Sequence, residues 1–197
     1  MGLEIVKHER NIVSIITTGG GSSSKNNCDD YEVFIEHYLD EPQYMKSLGI
    51  FRKYDTINID LNQLTPYFLR ASVNLIFRYR KNNIISGEEN FLFNLPSPLN
   101  LRIKDPPLFL CCGETYNKSL IWDTASQNNK INYQVFLRWK REGQIGSSFR
   151  EIKTKEINLC KDILPKEPNL HVWIEFKYTP TLSLYSNTII LSLHTRT

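Results

Sequence analysis

The chain is poor in cysteine and has no long apolar run. Its four cysteines in 197 residues are the adjacent Cys111 and Cys112 and the isolated Cys28 and Cys160. This is neither a dense disulfide framework nor a C-x-x-C pair for metal or redox chemistry. No stretch approaches the roughly 18 to 20 apolar residues of a transmembrane helix, and the run Ile12 to Ile16 is too short for a secretory signal. We therefore expect reduced thiols and a protein that stays in the compartment where it is made.

Motifs for nucleotides and metals are also missing from the sequence. There is no G-x-x-x-x-G-K-[ST] and no G-x-G-x-x-G, and Gly19 to Gly21 lacks the lysine and the helix pattern that a phosphate cradle needs. The four histidines stand singly, without the close spacing of a zinc site; they are His8, His37, His171 and His194. The sequence predicts no cofactor, no metal and no small-molecule substrate.

A cysteine-dependent hydrolase is the enzymatic alternative. It would need a thiolate, a histidine and a residue that orients the histidine. The residues that such a site would combine are Cys111 or Cys112, His171 or His194, and Asp123. Since residues 108–112 have the pattern of a buried strand, where thiols are inert, we expect both thiols to be structural and the protein not to be an enzyme.

The composition is that of one globular domain. The chain is 41% hydrophobic and 23% charged, with 9 Gly and 9 Pro, which excludes collagen-like and wholly disordered classes. Lys and Arg total 24 against 21 Asp and Glu, a net charge of +3, so an anionic partner would have to meet a local patch. We expect a single β-rich domain over residues 1–197, with a flexible Gly- and Ser-rich loop at 19–27. No internal repeat of fixed period is visible.

The strongest periodic signal alternates every two residues, as in a strand whose successive side chains face opposite sides of a sheet. Turn formers such as Asn82-Asn83 separate these runs. The pattern predicts an all-β fold, an antiparallel β-sandwich or flattened barrel with one or two short helices. The predicted core is Val73, Leu75, Phe77, Tyr133, Val135, Leu137, Val172, Ile174 and Phe176.

One segment fits two structures. Residues 29–39 place Ile35, Tyr38 and Leu39 at helical spacing, but Tyr31, Val33 and Ile35 at strand spacing. Because Asn27 or Asp29 could cap a helix, the prediction favours a short helix that covers one end of the sandwich.

Cations share the second face of the long strands with large apolar residues. On that face lie Ile76, Arg78 and Arg80 of one strand, Phe136, Arg138 and Lys140 of another, and Trp173, Glu175 and Lys177 of a third. If the first two strands share a sheet, their cations form one surface; the predicted anionic-surface binding residues are Arg78, Arg80, Lys81, Arg138, Lys140 and Arg141. Reversal of Arg78, Arg138 and Lys140 to Glu is then expected to abolish membrane binding without changing the thermal melt. The alternative is a solvated outer face whose cations keep the protein soluble.

Three stretches resemble a known family. They are Asp55 to Leu61, Val73 to Arg80, and Tyr133 to Arg141 continuing to Gly146. In order and character they resemble the small matrix proteins of non-segmented negative-strand RNA viruses, across residues 55–146.

The resemblance implies a non-enzymatic viral structural protein, rich in β structure, that self-associates and bridges an anionic membrane surface to the viral nucleocapsid. Its location would be the virion and the host cytoplasm, peripheral to membranes. Two alternatives from another class stay open, a jelly-roll capsid subunit and a viral movement protein that binds nucleic acid.

Overall fold

The structure, a computed structural model, describes residues 2–18, 30–37, 44–52, 54–63, 72–104, 110–111, 119–125, 130–158, 169–191 and 193–194. By backbone contacts the chain divides into two compact units. Unit 1 comprises residues 1–95, 128–132 and 178–182, and unit 2 comprises residues 96–127, 133–177 and 183–197. The prediction that 1–197 is a single domain stays a prediction, and the loop predicted at 19–27 lies outside the described residues.

The described residues of unit 1 form seven strands in two antiparallel sheets. They are β1 (Gly2–Glu9), β2 (Ile12–Thr18), β3 (Asp30–His37), β4 (Tyr44–Phe51), β5 (Thr56–Asp60), β6 (Ser72–Lys81) and β7 (Ile84–Asn94). One sheet has the order β1-β2-β5 and the other β4-β3-β6-β7. The two-residue turn Asn82-Asn83 joins β6 to β7 with φ of 51° and 66°, a conformation that asparagine tolerates and that suits a tight hairpin.

The core of unit 1 takes side chains from both sheets. The three-stranded sheet buries alternate residues of β2 and β5, and the four-stranded sheet buries Tyr31, Val33 and Ile35 of β3 with Leu75, Phe77 and Tyr79 of β6. Tyr31 carries its hydroxyl into this core, where it contacts Thr17 Oγ1 at 2.8 Å and donates to the Arg52 carbonyl at 2.7 Å. A buried phenol normally needs such partners.

In unit 2, ten strands are present within the part of the chain that the structure describes. They are β8 (Ser97–Lys104), β9 (Leu110–Cys111), β10 (Ser119–Ala125), β11 (Gln134–Arg141), β12 (Ser148–Ile152), β13 (Glu156–Asn158), β14 (Leu170–Lys177), β15 (Ser183–Tyr185), β16 (Ile189–Leu191) and β17 (Leu193–His194). One sheet has the order β13-β10-β8 and the other β12-β11-β14-β15, with β16 also paired to β14. The short pair of β9 and β17 is parallel.

Most of the predicted core is confirmed. Six residues are buried, with exposed fractions of 0 to 2%: Leu75, Phe77, Leu137, Val172, Ile174 and Phe176. Tyr133 and Val135 are only half-buried, so their assignment to the core is wrong. Val135 lies near the start of β11, and Tyr133 immediately precedes this strand. Val73 lies in β6, but its side chain is outside the description.

The prediction of an all-β fold is confirmed, since nearly every described element is an antiparallel strand. The predicted helix in 29–39 is wrong, because Asp30–His37 forms β3 between β4 and β6. Tyr31, Val33 and Ile35 are 0 to 2% exposed, so the strand spacing prevails where neighbouring strands cover one face. The single helical segment among the described residues is a 3-10 turn at Leu61–Gln63.

The two units repeat one topology that the sequence does not reveal. In unit 1 the first, second and fifth strands form one sheet, and the fourth, third, sixth and seventh form the other. Unit 2 follows the same scheme with β8, β10 and β13 in one sheet and β12, β11, β14 and β15 in the other. Two antiparallel sheets in each unit are the arrangement of a β-sandwich.

Candidate anionic-surface interface

The six predicted cations divide between the two units. Arg78, Arg80 and Lys81 lie on β6 of unit 1, and Arg138, Lys140 and Arg141 lie on β11 of unit 2. The two strands belong to different sheets, so the condition for a single cationic surface, a shared sheet, is not met. By strand alternation Lys81 and Arg141 also fall on the face opposite Arg80 and Lys140. The binding role of these residues stays a prediction.

Both arginines of β6 are engaged within their own sheet. Arg78 Nε donates to Glu88 Oε2 at 2.8 Å, and its guanidinium lies 4.7 Å from the centre of the Phe34 ring. Arg80 Nε lies 3.7 Å from Asp30 Oδ1. Ile76, which the sequence places on the outer face, is 5% exposed. Unit 1 therefore offers little unpaired positive charge from these two arginines.

Arg138 of unit 2 contacts three other side chains. Its Nε donates to Glu175 Oε2, and Glu175 is 2% exposed. The guanidinium lies 5.0 Å from the centre of the Phe149 ring, a cation–π contact, and Nη1 donates to Ser147 Oγ at 3.3 Å. Because Arg138 neutralises a buried carboxylate, its reversal to Glu would bring two carboxylates together. The expectation that such a reversal leaves the melt unchanged is therefore at odds with this contact.

Beside Arg138, the outer face of the five-stranded sheet forms an open groove of about 550 Å³. We call it the outer groove; its lining residues are Arg138, Lys140, Ser147, His171, Trp173, Tyr185, Ser186 and Thr188. The pairing of β11 with β14 sets Lys140 opposite His171 and Arg138 opposite Trp173, and the pairing of β14 with β15 sets Tyr185 opposite Glu175. The Tyr185 hydroxyl donates to Glu175 Oε1 at 3.5 Å.

The outer groove combines two amphipathic rings with two cations, of which Arg138 is paired with Glu175. Among the described residues, no carboxylate lies within ion-pairing distance of Lys140. Trp173 is half-buried and Tyr185 is 55% exposed, so each ring presents an accessible surface. A cation in one groove with such rings suits an anionic headgroup with apolar surroundings, or a phosphate beside a stacked base.

Sequence reasoning found only part of this groove. The period-two pattern identifies Lys140 and Trp173 as outer-face residues, and the structure brings them together. It misses Tyr185, Ser186 and Thr188, because these reach the groove through the pairing of β15 and the turn after it, for which the sequence carries no signal.

Among the described residues, Asp123 of the enzymatic alternative is paired with an arginine. That carboxylate accepts hydrogen bonds from Arg102 Nη1 and Nη2 at 2.9 and 3.1 Å, and these bonds lower its pKa. His171 lies in the outer groove on the other sheet. Cys111 and His194 are register neighbours across β9 and β17, but their side chains are outside the description. The absence of thiol-dependent activity stays a prediction.

Two features are absent from the described part of the chain. No cluster of three or more His, Cys, Asp or Glu side chains within it could hold a metal ion. None of its helical segments is long and apolar enough to cross a membrane.

Comparisons with known proteins give a likeness of fold only. No family model matches the chain, and no curated protein matches its sequence. Among solved structures, the chain is similar to the crystal structure of the FN1–FN3 domains of chicken CNTN1, at 13% sequence identity and a TM-score of 0.32. The match covers 98% of this chain and 65% of that one, so this chain spans a little under two thirds of its length.

Proposed function

We propose that the chain is a non-enzymatic structural protein of matrix type, which self-associates and bridges an anionic membrane surface to the viral nucleocapsid. The outer groove of unit 2 is the part that meets the membrane. The observation that supports this assignment is that Lys140, Trp173 and Tyr185 line one open groove on a sheet face. Of the six predicted cations, Lys140 combines an accessible ring environment with the absence of a described ion-pair partner.

The physical basis is a combination of charge and ring chemistry. Tryptophan and tyrosine favour the headgroup level of a bilayer, because each has an apolar body and a polar tip. A lysine close to an anionic bilayer contributes about 1 kcal/mol. Because Arg138 already neutralises Glu175, the Arg138–Glu175 pair adds little to the attraction between the groove and an anionic bilayer. Membrane binding by Lys140 and the two rings should therefore be weak, reversible and sensitive to salt.

Flotation with liposomes tests the proposal. The parent protein should float with phosphatidylserine-rich vesicles at low salt, remain behind with vesicles of phosphatidylcholine alone, and be released by high salt. Lys140→Glu should lose flotation while keeping the parent melting temperature, because Lys140 lines the open groove and its reversal leaves the Arg138–Glu175 pair intact. Lys7→Glu is the matched control: it makes the same charge change at an exposed site of unit 1 and should still float.

Flotation that persists in Lys140→Glu, or that never occurs in the parent, would contradict the membrane role. Assembly is tested separately by size-exclusion chromatography with and without vesicles. Higher-order assembly on lipid supports a matrix role, closed shells support the capsid alternative, and a monomer under all conditions contradicts self-association.

A nucleic-acid partner is the second candidate, and the two rings of the outer groove favour it. Bases stack on exposed aromatic rings with about 1 to 3 kcal/mol per base, while cations follow the phosphates. In that case fluorescence anisotropy with a single-stranded oligonucleotide would detect binding, and Trp173→Ala would weaken it. Binding to the oligonucleotide but not to vesicles would favour the movement-protein or capsid alternative over the matrix role.

A further inference from the structure

Unit 2 has an incompletely filled space between its two sheets. The segment that leaves β12 and enters β13 passes from one sheet to the other. Two cavities of about 300 and 180 Å³ adjoin beneath this segment and share Glu151, Ile152, Lys153 and Thr154 as lining residues. Protein interiors are normally packed without voids larger than a water molecule, so space of this size calls for an explanation.

The walls of the larger cavity, which we call the inter-sheet cleft, are aromatic and apolar. Trp122 of β10 forms one wall; Tyr133, Val135 and Phe176 form the other. Tyr133 stacks on Phe176 with ring centres 4.3 Å apart and an interplanar angle of 18°. Burial also raises the pKa of the Tyr133 phenol. The cleft thus reaches the same apolar interior as the core.

The half-burial of Tyr133 and Val135 follows from this opening. Their alternation with Leu137 directs them inward, as the sequence predicts, yet both remain partly accessible because the cleft lies over them. Their apolar surface is therefore oriented toward the interior but only partly covered by other side chains. A bound apolar group would remove it from water, which is favourable in proportion to the area buried.

The rim of the inter-sheet cleft is cationic on one side. Lys153 and Lys155 lie on the linking segment, with Glu151 as the one acidic lining residue in the described part of the chain. Arg150 lines the adjoining cavity. Two lysines against one glutamate give the mouth a net positive charge, which would attract an anionic headgroup and disfavour a cationic one.

We propose that the inter-sheet cleft binds a small amphipathic carboxylate, with its hydrocarbon chain between the sheets and its carboxylate beside Lys153 and Lys155. A volume of about 300 Å³ is at the lower end of the range for small-molecule sites, which favours a medium-length chain over a two-chain lipid. This site is separate from the outer groove: the two share no lining residue. The proposal does not depend on the membrane role.

Calorimetric titration with decanoate, and with decanol as its uncharged counterpart, tests the site. Val135→Phe should fill the cleft and weaken decanoate binding by about tenfold or more. Thr124→Phe, which blocks the cleft from the opposite sheet, should do the same and serves if Val135→Phe does not fold. The double variant Lys153→Glu, Lys155→Glu should weaken decanoate binding by about tenfold but leave decanol binding unchanged. Lys7→Glu should bind decanoate like the parent.

The outcomes separate this proposal from the membrane role. Lys140→Glu should lose flotation yet keep decanoate binding. If the parent binds no decanoate, if both blocked variants bind it like the parent, or if the double lysine variant is indistinguishable from Lys7→Glu, the proposal is overturned. Equal weakening of decanoate and decanol in the double variant would also contradict the assigned position of the carboxylate.

Discussion

Replacement of Arg138 by methionine should destabilise unit 2 by about 3 kcal/mol. Methionine keeps an apolar stem near Phe149 but leaves Glu175, which is 2% exposed, without its guanidinium partner. Removal of one member of a buried ion pair costs about 3 to 5 kcal/mol. The lower end applies here, because the Arg138 side chain is 22% exposed and water can partly replace it. Urea unfolding at neutral pH, followed by tryptophan fluorescence, measures the loss.

A double variant and a surface control define the cause of that loss. Arg138→Met combined with Glu175→Leu removes both charges and should recover most of the stability, since an apolar pair can replace a buried ion pair at little cost. Arg102→Met breaks an exposed pair with Asp123 and should leave the unfolding curve almost unchanged. If Arg138→Met is as stable as the parent, or if the double variant is no more stable than the single one, the assignment of Arg138 to a structural role is refuted.

Two further predictions concern the core and pH. Leu75→Ala in unit 1 and Leu137→Ala in unit 2, at side chains 0% and 2% exposed, should each cost about 2 to 5 kcal/mol in chemical denaturation; losses below roughly 0.5 kcal/mol at both sites would overturn the strand register. Burial lowers the pKa of His8 from its ordinary 6.5, and its Nδ1 accepts the Asn132 backbone N–H at 2.8 Å, so the unfolded chain binds a proton more readily. The stability that His8 contributes is therefore present above pH 6.5 and is lost as the pH falls toward the lower pKa that His8 has in the folded protein. The melting temperature of His8→Gln should fall less between pH 7 and pH 5 than that of the parent. Equal falls in the two proteins would contradict the assignment.

The period-two pattern predicts local structure well, because it depends only on which face each side chain occupies. It identifies β6, β11 and β14 and six buried residues of the core. It fails at residues 29–39, where helical and strand spacings coexist and only the flanking strands β4 and β6 decide between them. It also gives no sign that the two units share a topology, since equivalent strands differ in sequence and in spacing.

The sequence pattern predicts the candidate site only in part, for a similar reason. Alternation is enough to place Lys140 and Trp173 on an outer face, but it cannot say which strands are neighbours. For that reason the pattern is compatible with β6 and β11 in one sheet, and it does not predict which carboxylates pair with Arg78 and Arg138. Glu175 is informative here: its position in a strand with an alternating pattern predicts exposure, whereas the guanidinium of Arg138 allows it to be buried.

Contact between Trp173 and lipid tests the central claim most directly. A variant with Trp122→Phe and Trp139→Phe retains Trp173 as its only tryptophan, because the chain has three. Titrated with phosphatidylserine-rich vesicles that carry a quenching label at the headgroup, its fluorescence should fall saturably and recover at high salt, whereas Trp173→Phe, which retains the other two tryptophans, should be quenched much less. Vesicle binding with no quenching of Trp173 would contradict the claim that the outer groove of unit 2 faces the membrane.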